Sequence, residues 1–319
     1  MTRMQIHIPI SPNDWFFTMI RCFAASLRAF GGSVAQSKLI VSVGEDCEPY
    51  DIDARRPELA RYGITWRWVD RTDFRQKSYA ATGLSRWAEP FDDDYVMMAD
   101  ADLLVLGRLD DALAWLSGPR SIAGVIATFP PFLGRDAGDD RKRWPELFRM
   151  AGLDVPPFDL PIPGHGIFYS TEELSHAPPY YNFGVVFGTR EAMNAIRETL
   201  EADSAIAADY MKTDLAAQAG LSLSIIRNNI TAAALPVRFN FWTHPSYLEN
   251  FLADAADVRV LHYLGGPFKK HIDNHSVMDI ERWLDMNDQS ADATTRLVHR
   301  AFTRVLEIIR REDSESTKP

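Results

Sequence analysis

The chain has 319 residues, of which 46% are hydrophobic and 24% are charged, close to the average of soluble globular proteins. This composition excludes disordered, collagen-like and fibrous proteins, and the length predicts about two domains or one large α/β unit with insertions. A net charge of -10 argues against nucleic-acid binding, which normally needs a basic surface. Cys22 and Cys47 are too few for a disulfide framework, which predicts a reducing compartment.

The N-terminal residues lack the apolar core and the cleavage site of a signal peptide. The longest apolar stretch, residues 15–30, is interrupted by Arg21 and Arg28, and its apolar residues recur at three- and four-residue spacing. This spacing predicts an amphipathic helix rather than a membrane span of about 20 residues. We therefore expect a cytoplasmic protein.

In the first half, short apolar runs alternate with helical patterns. Strands are predicted at residues 4–10, 39–43, 64–69, 95–99 and 122–127, and helices from Asp14 to Phe30 and over 77–89. This alternation predicts α/β architecture, with a mixed, mostly parallel sheet flanked by helices. Ligands of such sheets bind outside the carboxyl ends of the strands, so polar residues that follow strands are the first candidates for chemistry.

The second half begins with a loop-rich insertion, about residues 129–180, that is dense in proline and contains one helical pattern at 144–151. Strands are predicted at 181–188 and 258–261, and helices at 191–200, 207–219, 277–286 and 293–311. We expect one α/β domain over 1–275, a helical extension over 276–312 and a flexible tail over 313–319.

Two carboxylates, Asp100 and Asp102, lie at the carboxyl end of one apolar strand and directly before another. They would repel each other unless a cation or a basic group lay between them. A hard divalent ion, Mn²⁺ or Mg²⁺, accepts such oxygens and leaves coordination positions open for phosphate. Taken alone, the segment is equally compatible with a solvated turn in which the aspartates cap backbone amides.

A second candidate segment begins at His262, which ends the last predicted strand. It continues through Gly265 and Gly266 to Lys269 and Lys270. Glycines let the backbone approach a phosphate, lysines supply mobile positive charge, and histidine can be a third metal ligand. Together with the two aspartates, this segment favours a site for a metal ion and a diphosphate.

Three blocks of the sequence resemble glycosyltransferase family 8 and related GT-A fold enzymes. Asn13, Asp14 and Phe16, with Ser26-Leu27 later in the same helix, are similar to the family's opening Asn-Asp-x-Tyr…Ser-Leu, with phenylalanine in place of tyrosine. Asp100-Ala-Asp102 matches the metal-binding pair. The segment from His262 to Lys269 is similar to the family's His-Phe/Tyr-x-Gly-x-x-Lys-Pro-Trp, with one extra residue.

Weaker matches lie between these blocks. Asn182-Phe-Gly-Val resembles the family's Asn-x-Gly-Val strand, and the segment 235–241, which includes Asn240, resembles its Leu-Pro-x-x-Phe/Trp-Asn. The family's Asp-Gln pair has only Asp214 in place, with Gln218 four residues further on.

The resemblance implies a GT-A, Rossmann-like fold and retaining transfer of a sugar from a nucleotide-diphosphate donor, here a UDP-sugar. The acceptor would be a carbohydrate, a lipid-linked sugar or a protein. Roles for the candidate residues follow from the same resemblance. Asp100, Asp102 and His262 would hold Mn²⁺ or Mg²⁺. Asn13, Asp14, Phe16, Gly265, Gly266, Lys269 and Lys270 would bind the donor, and Asp214 and Asn182 would orient the sugar. Two further expectations come from the residues themselves. Lys77 either reaches a phosphate of the donor or is a surface lysine. Aromatic faces suit sugar rings, so the aromatic residues of the insertion either line the acceptor side or belong to the core: Trp144, Tyr169, Tyr180 and Tyr181.

Other interpretations stay open at this point. A sugar-1-phosphate nucleotidyltransferase uses a similar sheet but needs a glycine-rich basic loop after the first strand, and residues 9–14 contain neither glycine nor lysine. A non-catalytic carbohydrate-binding relative would keep the fold without the metal. The helix at 293–311 carries an apolar stripe flanked by arginines, so it can lie on the inner membrane face or pack on its own domain.

Overall fold

The computed structural model describes residues 2–128, 131–132, 140–164, 175–213, 215–263, 276–290 and 292–316. The strands are Met4–Ile10 (β1), Lys38–Val43 (β2), Thr65–Trp68 (β3), Tyr95–Ala99 (β4), Leu103–Val105 (β5), Ser121–Ile126 (β6), Leu160–Pro161 (β7), His176–Ala177 (β8), Tyr181–Thr189 (β9), Thr231–Ala234 (β10), Phe241–Trp242 (β11) and Val260–His262 (β12). The α-helices are Asp14–Phe30 (α1), Ile52–Arg55 (α2), Pro57–Ala60 (α3), Arg71–Lys77 (α4), Tyr79–Ser85 (α5), Asp110–Leu113 (α6), Asp140–Met150 (α7), Arg190–Met211 (α8), Ala216–Arg227 (α9), Pro245–Asn250 (α10), Leu252–Ala255 (α11), Val277–Asn287 (α12) and Ala293–Ser316 (α13).

The chain folds into two compact units. Unit 1 is formed by residues 1–86, 99–111 and 237–319, and unit 2 by residues 87–98 and 112–236. In unit 1, β1, β2 and β3 pair in parallel, with Ile8 opposite Val41. In unit 2, β10 pairs in parallel with β6, and β6 pairs antiparallel with β9.

These pairings confirm the predicted mixed, mostly parallel sheet, which has seven strands within the described residues. Helices cover its faces, so the inner strands β1, β4 and β6 and the neighbouring β2 are buried on both sides and form nearly continuous apolar runs, whereas the edge strands β3 and β10 are half-buried. Ile6 and Ile8 in β1 and Val41 in β2 are fully buried. A shorter sheet in unit 1 has the order β11-β12-β5.

Two predicted helices are interrupted where the backbone leaves the helical region. The pattern at 77–89 corresponds to the end of α4 and to α5, which are separated by Ser78 with a φ of 52°. The pattern at 207–219 is also wrong as one helix, because α8 ends at Met211 and Lys212 adopts a left-handed conformation with a φ of 54°. Helix α9 begins only at Ala216.

The aromatic residues of the predicted insertion belong to the core of unit 2. Trp144 on α7 stacks on Phe148 and meets the edge of Tyr180, and all three side chains are buried. Tyr181 is fully buried and donates its hydroxyl to the Ala233 carbonyl. The expectation that Trp144, Tyr180 and Tyr181 line the acceptor side is therefore wrong, and Tyr169 lies outside the described residues.

Helix α13 packs on unit 1 through its apolar stripe. Val298, Phe302 and Val305 are fully buried, so this stripe is not available to insert into lipid. The helix continues past residue 311 to Ser316, and Asp313 near its end forms ion pairs with Arg21 and Arg61. No helix of the described residues is long and apolar enough to cross a membrane.

Candidate active site

The two aspartates and the histidine predicted as metal ligands meet in unit 1. Asp100 follows β4, and Asp102 directly precedes β5. Strand β12 pairs antiparallel with β5 so that His262 lies opposite Leu103, one residue from Asp102. This register places Nε2 of His262 2.9 Å from Oδ2 of Asp102. One ligand atom from each of the three residues lies within 4.8 Å of the other two.

The electrostatics of this cluster match those of a cation site. Burial, and then the charge of Asp102, raise the pKa of Asp100. Burial alone would lower the pKa of His262, but the charge and the hydrogen bond of Asp102, with the charge of Asp100, raise it to about 9. At neutral pH the imidazole is therefore protonated and partly compensates the carboxylates, which is the compensation that a divalent cation would supply more fully.

Asn240 fixes the orientation of the histidine. Its Oδ1 lies 3.0 Å from Nδ1 of His262, so that nitrogen donates a hydrogen bond and Nε2 is directed to Asp102. Sequence reasoning noted Asn240 only within the family segment and gave it no role. The available signal was a polar residue between the buried aromatics Phe239 and Phe241, directly before a strand.

Buried contacts with helices α1 and α13 support the cluster of Asp100, Asp102 and His262. The amide of Tyr263 donates to the carbonyl of Asp102 at 3.1 Å, and the ring of Tyr263 packs edge-on against Phe302 of α13 with centroids 4.9 Å apart. The hydroxyl of Ser26 on α1 accepts the amide of Val105 at 3.0 Å and so anchors β5. Helix α1 thus holds β5, which follows Asp102, and helix α13 holds Tyr263, which follows His262.

The residues expected to contact the nucleotide base lie at the start of α1, after β1. Asn13 caps the helix by accepting the amide of Phe16 at 3.1 Å, and Asp14 forms an ion pair with Arg56. Asn13 and Asp14 are exposed, and Phe16 is half-buried. Lys77 is exposed at the end of α4 rather than at the start of a helix.

The residues expected to orient the sugar divide between described and undescribed positions. Asn182 lies in β9 of unit 2, where its Oδ1 accepts the amide of Gly184 at 2.8 Å. This is the local hydrogen bond that a strand residue makes without any functional role. The remaining candidates lie outside the described residues: Asp214, Gly265, Gly266, Lys269 and Lys270.

Solved structures with a similar fold are glycosyltransferases. The galactosyltransferase LgtC, solved with donor and acceptor sugar analogues, is 17% identical with a TM-score of 0.52, covering 94% of this chain and 96% of its own. The bifunctional glycosyltransferase WbbM is 15% identical with a TM-score of 0.52, covering 83% of this chain, which spans only 46% of WbbM. GlyE of Streptococcus pneumoniae is 12% identical with a TM-score of 0.51, covering 99% of this chain and 64% of its own.

The fold is that of GT-A glycosyltransferases, as the sequence resemblance implied. Residues 14–218, more than half of the chain, match the Rhodobacterales glycosyltransferase domain, and the chain belongs to that family. No curated protein matches the chain in sequence. The protein is therefore an enzyme of the glycosyltransferase class. This confirms the function that the sequence favours over a nucleotidyltransferase and over a non-catalytic relative.

Proposed function

We propose that this enzyme transfers a sugar from a UDP-sugar to a carbohydrate, lipid-linked or protein acceptor, with retention of anomeric configuration and with a divalent cation bound at Asp100, Asp102 and His262. The observation that carries the proposal is the convergence of these three side chains, with ligand atoms within 4.8 Å of one another. The donor and acceptor sugar analogues bound by LgtC, which shares the fold, support the same reading.

The donor set favours Mn²⁺. Two carboxylates suit both Mn²⁺ and Mg²⁺, but Mg²⁺ prefers oxygen ligands alone, whereas an imidazole is acceptable to the softer ion. When bound, the cation would stabilise the negative charge that develops on the departing nucleoside diphosphate. Asn240 keeps Nε2 of His262 directed toward the ligand cluster.

The remaining residues complete the proposal. Lys269 and Lys270 would add positive charge at the diphosphate, and Gly265 and Gly266 would let the backbone approach it. Asn13, Asp14 and Phe16 would contact the base, Lys77 a phosphate, and Asn182 and Asp214 the sugar. We place the enzyme in the cytoplasm, where a lipid-linked acceptor would bring it to the inner membrane face; the exposed arginines of α13 could then contact anionic headgroups without inserting apolar residues.

Release of UDP from a panel of UDP-hexoses tests this proposal. We expect release that requires Mn²⁺, stops with EDTA, and falls roughly 100-fold in Asp102→Asn, the size of loss typical when a group that stabilises transition-state charge is removed. GDP-hexoses run in parallel test the base.

Asp53→Asn is the matched control, because Asp53 belongs to another Asp-x-Asp sequence of the chain. Its carboxylate accepts the indole N–H of Trp66, which an amide oxygen can also accept. Metal-independent release, or equal activity in Asp102→Asn and Asp53→Asn, would contradict the proposal. Formation of pyrophosphate from a nucleoside triphosphate and a sugar phosphate would instead identify a nucleotidyltransferase.

A further inference from the structure

Arg86 is a buried cation next to the candidate metal site, in a position to which neither the sequence nor the comparisons assign a role. It follows the last residue of α5 and is 3% exposed. Its Nε donates to the carbonyl of Gly83 at 3.0 Å, and its Nη1 donates to the carbonyl of Ala99 at 3.3 Å. Ala99 is the last residue of β4 and directly precedes Asp100.

A buried guanidinium remains charged and needs an opposite charge as well as carbonyl acceptors. Burial lowers the pKa of Arg86, and the group that opposes this effect is Asp100. In return, Arg86 lowers the pKa of Asp100 against the larger effects of burial and of Asp102. The hydrogen bond to the Ala99 carbonyl thus holds the guanidinium beside the residue that precedes Asp100, and there the charges of Arg86 and Asp100 favour each other.

We propose that Arg86 is a positioning residue for the metal site: it holds the Ala99 carbonyl, and with its fixed charge it orients the Asp100 carboxylate for a divalent cation. This role rests on the proposed function, because it acts on a ligand of the proposed cation. Arg86 itself would touch neither the metal nor the donor.

A double-mutant cycle in EDTA tests the link to Asp100 without any metal or nucleotide. Urea unfolding is measured for the wild type, Arg86→Met, Asp100→Asn and the double variant. We expect the midpoint urea concentration to fall less in the double variant than the sum of its decreases in the two single variants. The reason is that each single change leaves a buried charge without its partner, whereas the double change removes both charges. Additive midpoint shifts would overturn the proposal even if the enzyme proves to be a metal-dependent transferase.

A Mn²⁺ titration tests the consequence for the cation. We expect Arg86→Met to weaken Mn²⁺ binding roughly 10-fold or more, as supporting residues around metal ligands commonly do, and Arg86→Lys, which keeps the charge, to recover most of the loss. Unchanged or tighter Mn²⁺ binding in Arg86→Met would overturn the positioning role, since removing a merely repulsive charge would tighten the site. If Arg86→Met does not fold, the cycle and the titration are run with Arg86→Gln, which also removes the charge, and additive midpoint shifts with unchanged Mn²⁺ binding would again overturn the proposal.

Arg28→Met is the matched control. Arg28 is a half-buried arginine of unit 1 that likewise donates to backbone carbonyls, those of Ser37 at 3.1 Å and Tyr62 at 3.0 Å. Burial lowers its pKa, and Asp100 is not among the groups that act on it. We expect Arg28→Met to lower the urea midpoint, to combine additively with Asp100→Asn, and to leave Mn²⁺ binding unchanged.

Discussion

His262 shows how neighbouring charges determine the chemistry of one side chain. With a pKa of about 9, the imidazole carries a proton at neutral pH and pairs with Asp102. A metal ligand must be the neutral imidazole, so binding of the proposed cation would release this proton. The same residue would then change from a partner of the Asp102 carboxylate to a ligand of the cation.

His7 on β1 is the opposite case and predicts an acid-sensitive core. Burial, and then the positive charges of Arg67 and Arg86, lower its pKa to about 3. The side-chain amide nitrogen of Gln5, which can only donate, lies 2.7 Å from Nε2 of His7, so that nitrogen is an unprotonated acceptor. His7 is therefore neutral in the folded protein and remains so well below neutral pH.

The unfolded chain takes up this proton near pH 6.5 and the folded one only near pH 3. Between these values the unfolded state binds more protons, so the free energy of unfolding falls as the pH falls, by up to about 1.4 kcal/mol per pH unit. Urea unfolding between pH 6.5 and 5 should show this slope in the wild type and a smaller slope in His7→Gln. The exposed His176 on β8 provides the control, and equal slopes in His7→Gln and His176→Gln would contradict this account.

At the level of elements, helices α8 and α9 are joined by an ion pair between a buried carboxylate and a half-buried guanidinium. Asp203 on α8 is 1% exposed and accepts hydrogen bonds from the hydroxyl of Ser224 at 2.7 Å and from Nη2 of Arg227 at 2.7 Å. Arg227 also donates to the carbonyl of Ala151, the residue after α7. One carboxylate therefore holds together the helices that cover one part of unit 2.

Removal of this carboxylate should destabilise unit 2. Asp203→Ala removes the acceptor of the Ser224 hydroxyl and the charged partner of Arg227, and breaking a fully buried pair from one side costs about 3–5 kcal/mol. Since Arg227 is one-third exposed and water can reach it, we expect a loss at the lower end of that range. Urea unfolding measures it, with Asp209→Ala on the exposed side of α8 as the control; a loss no larger than that of the control would show that the pair does not stabilise the unit.

The elements also show which local features the sequence reveals. Both ends of strands β1, β2, β4 and β9 were predicted to within one residue, because a strand buried on both faces is a continuous apolar run between polar turns. The break between α8 and α9 was missed because Lys212, a residue with ordinary helix propensity, adopts the left-handed conformation there. Likewise, the sequence does not indicate that α4 ends at Ser78, which has a φ of 52°.

At the scale of the whole chain, contacts between distant segments build the site. Asp100 and Asp102 could be predicted because two carboxylates at a strand end are a local pattern, and His262 because a glycine-lysine loop follows it. The antiparallel pairing of β5 with β12 brings His262 to Asp102, and the local sequence pattern does not predict this pairing. Asn240 and Arg86 were missed for the same reason, since each contacts its partner, His262 or the Ala99 carbonyl, across a separation that local patterns do not report. The expected boundary between the α/β domain and the helical extension, after residue 275, stays a prediction, because residues 264–275 lie outside the described residues.

Binding of Mn²⁺, followed by electron paramagnetic resonance in the presence of UDP, tests the central claim most directly. Free Mn²⁺ gives a strong signal that decreases as the ion binds, so a titration yields both the number of sites and the affinity. We predict one site per chain in the wild type and in Asp53→Asn, and loss of that site in Asp102→Asn. Equal Mn²⁺ binding by Asp102→Asn and the wild type would contradict the claim that Asp100, Asp102 and His262 form the metal centre of this glycosyltransferase.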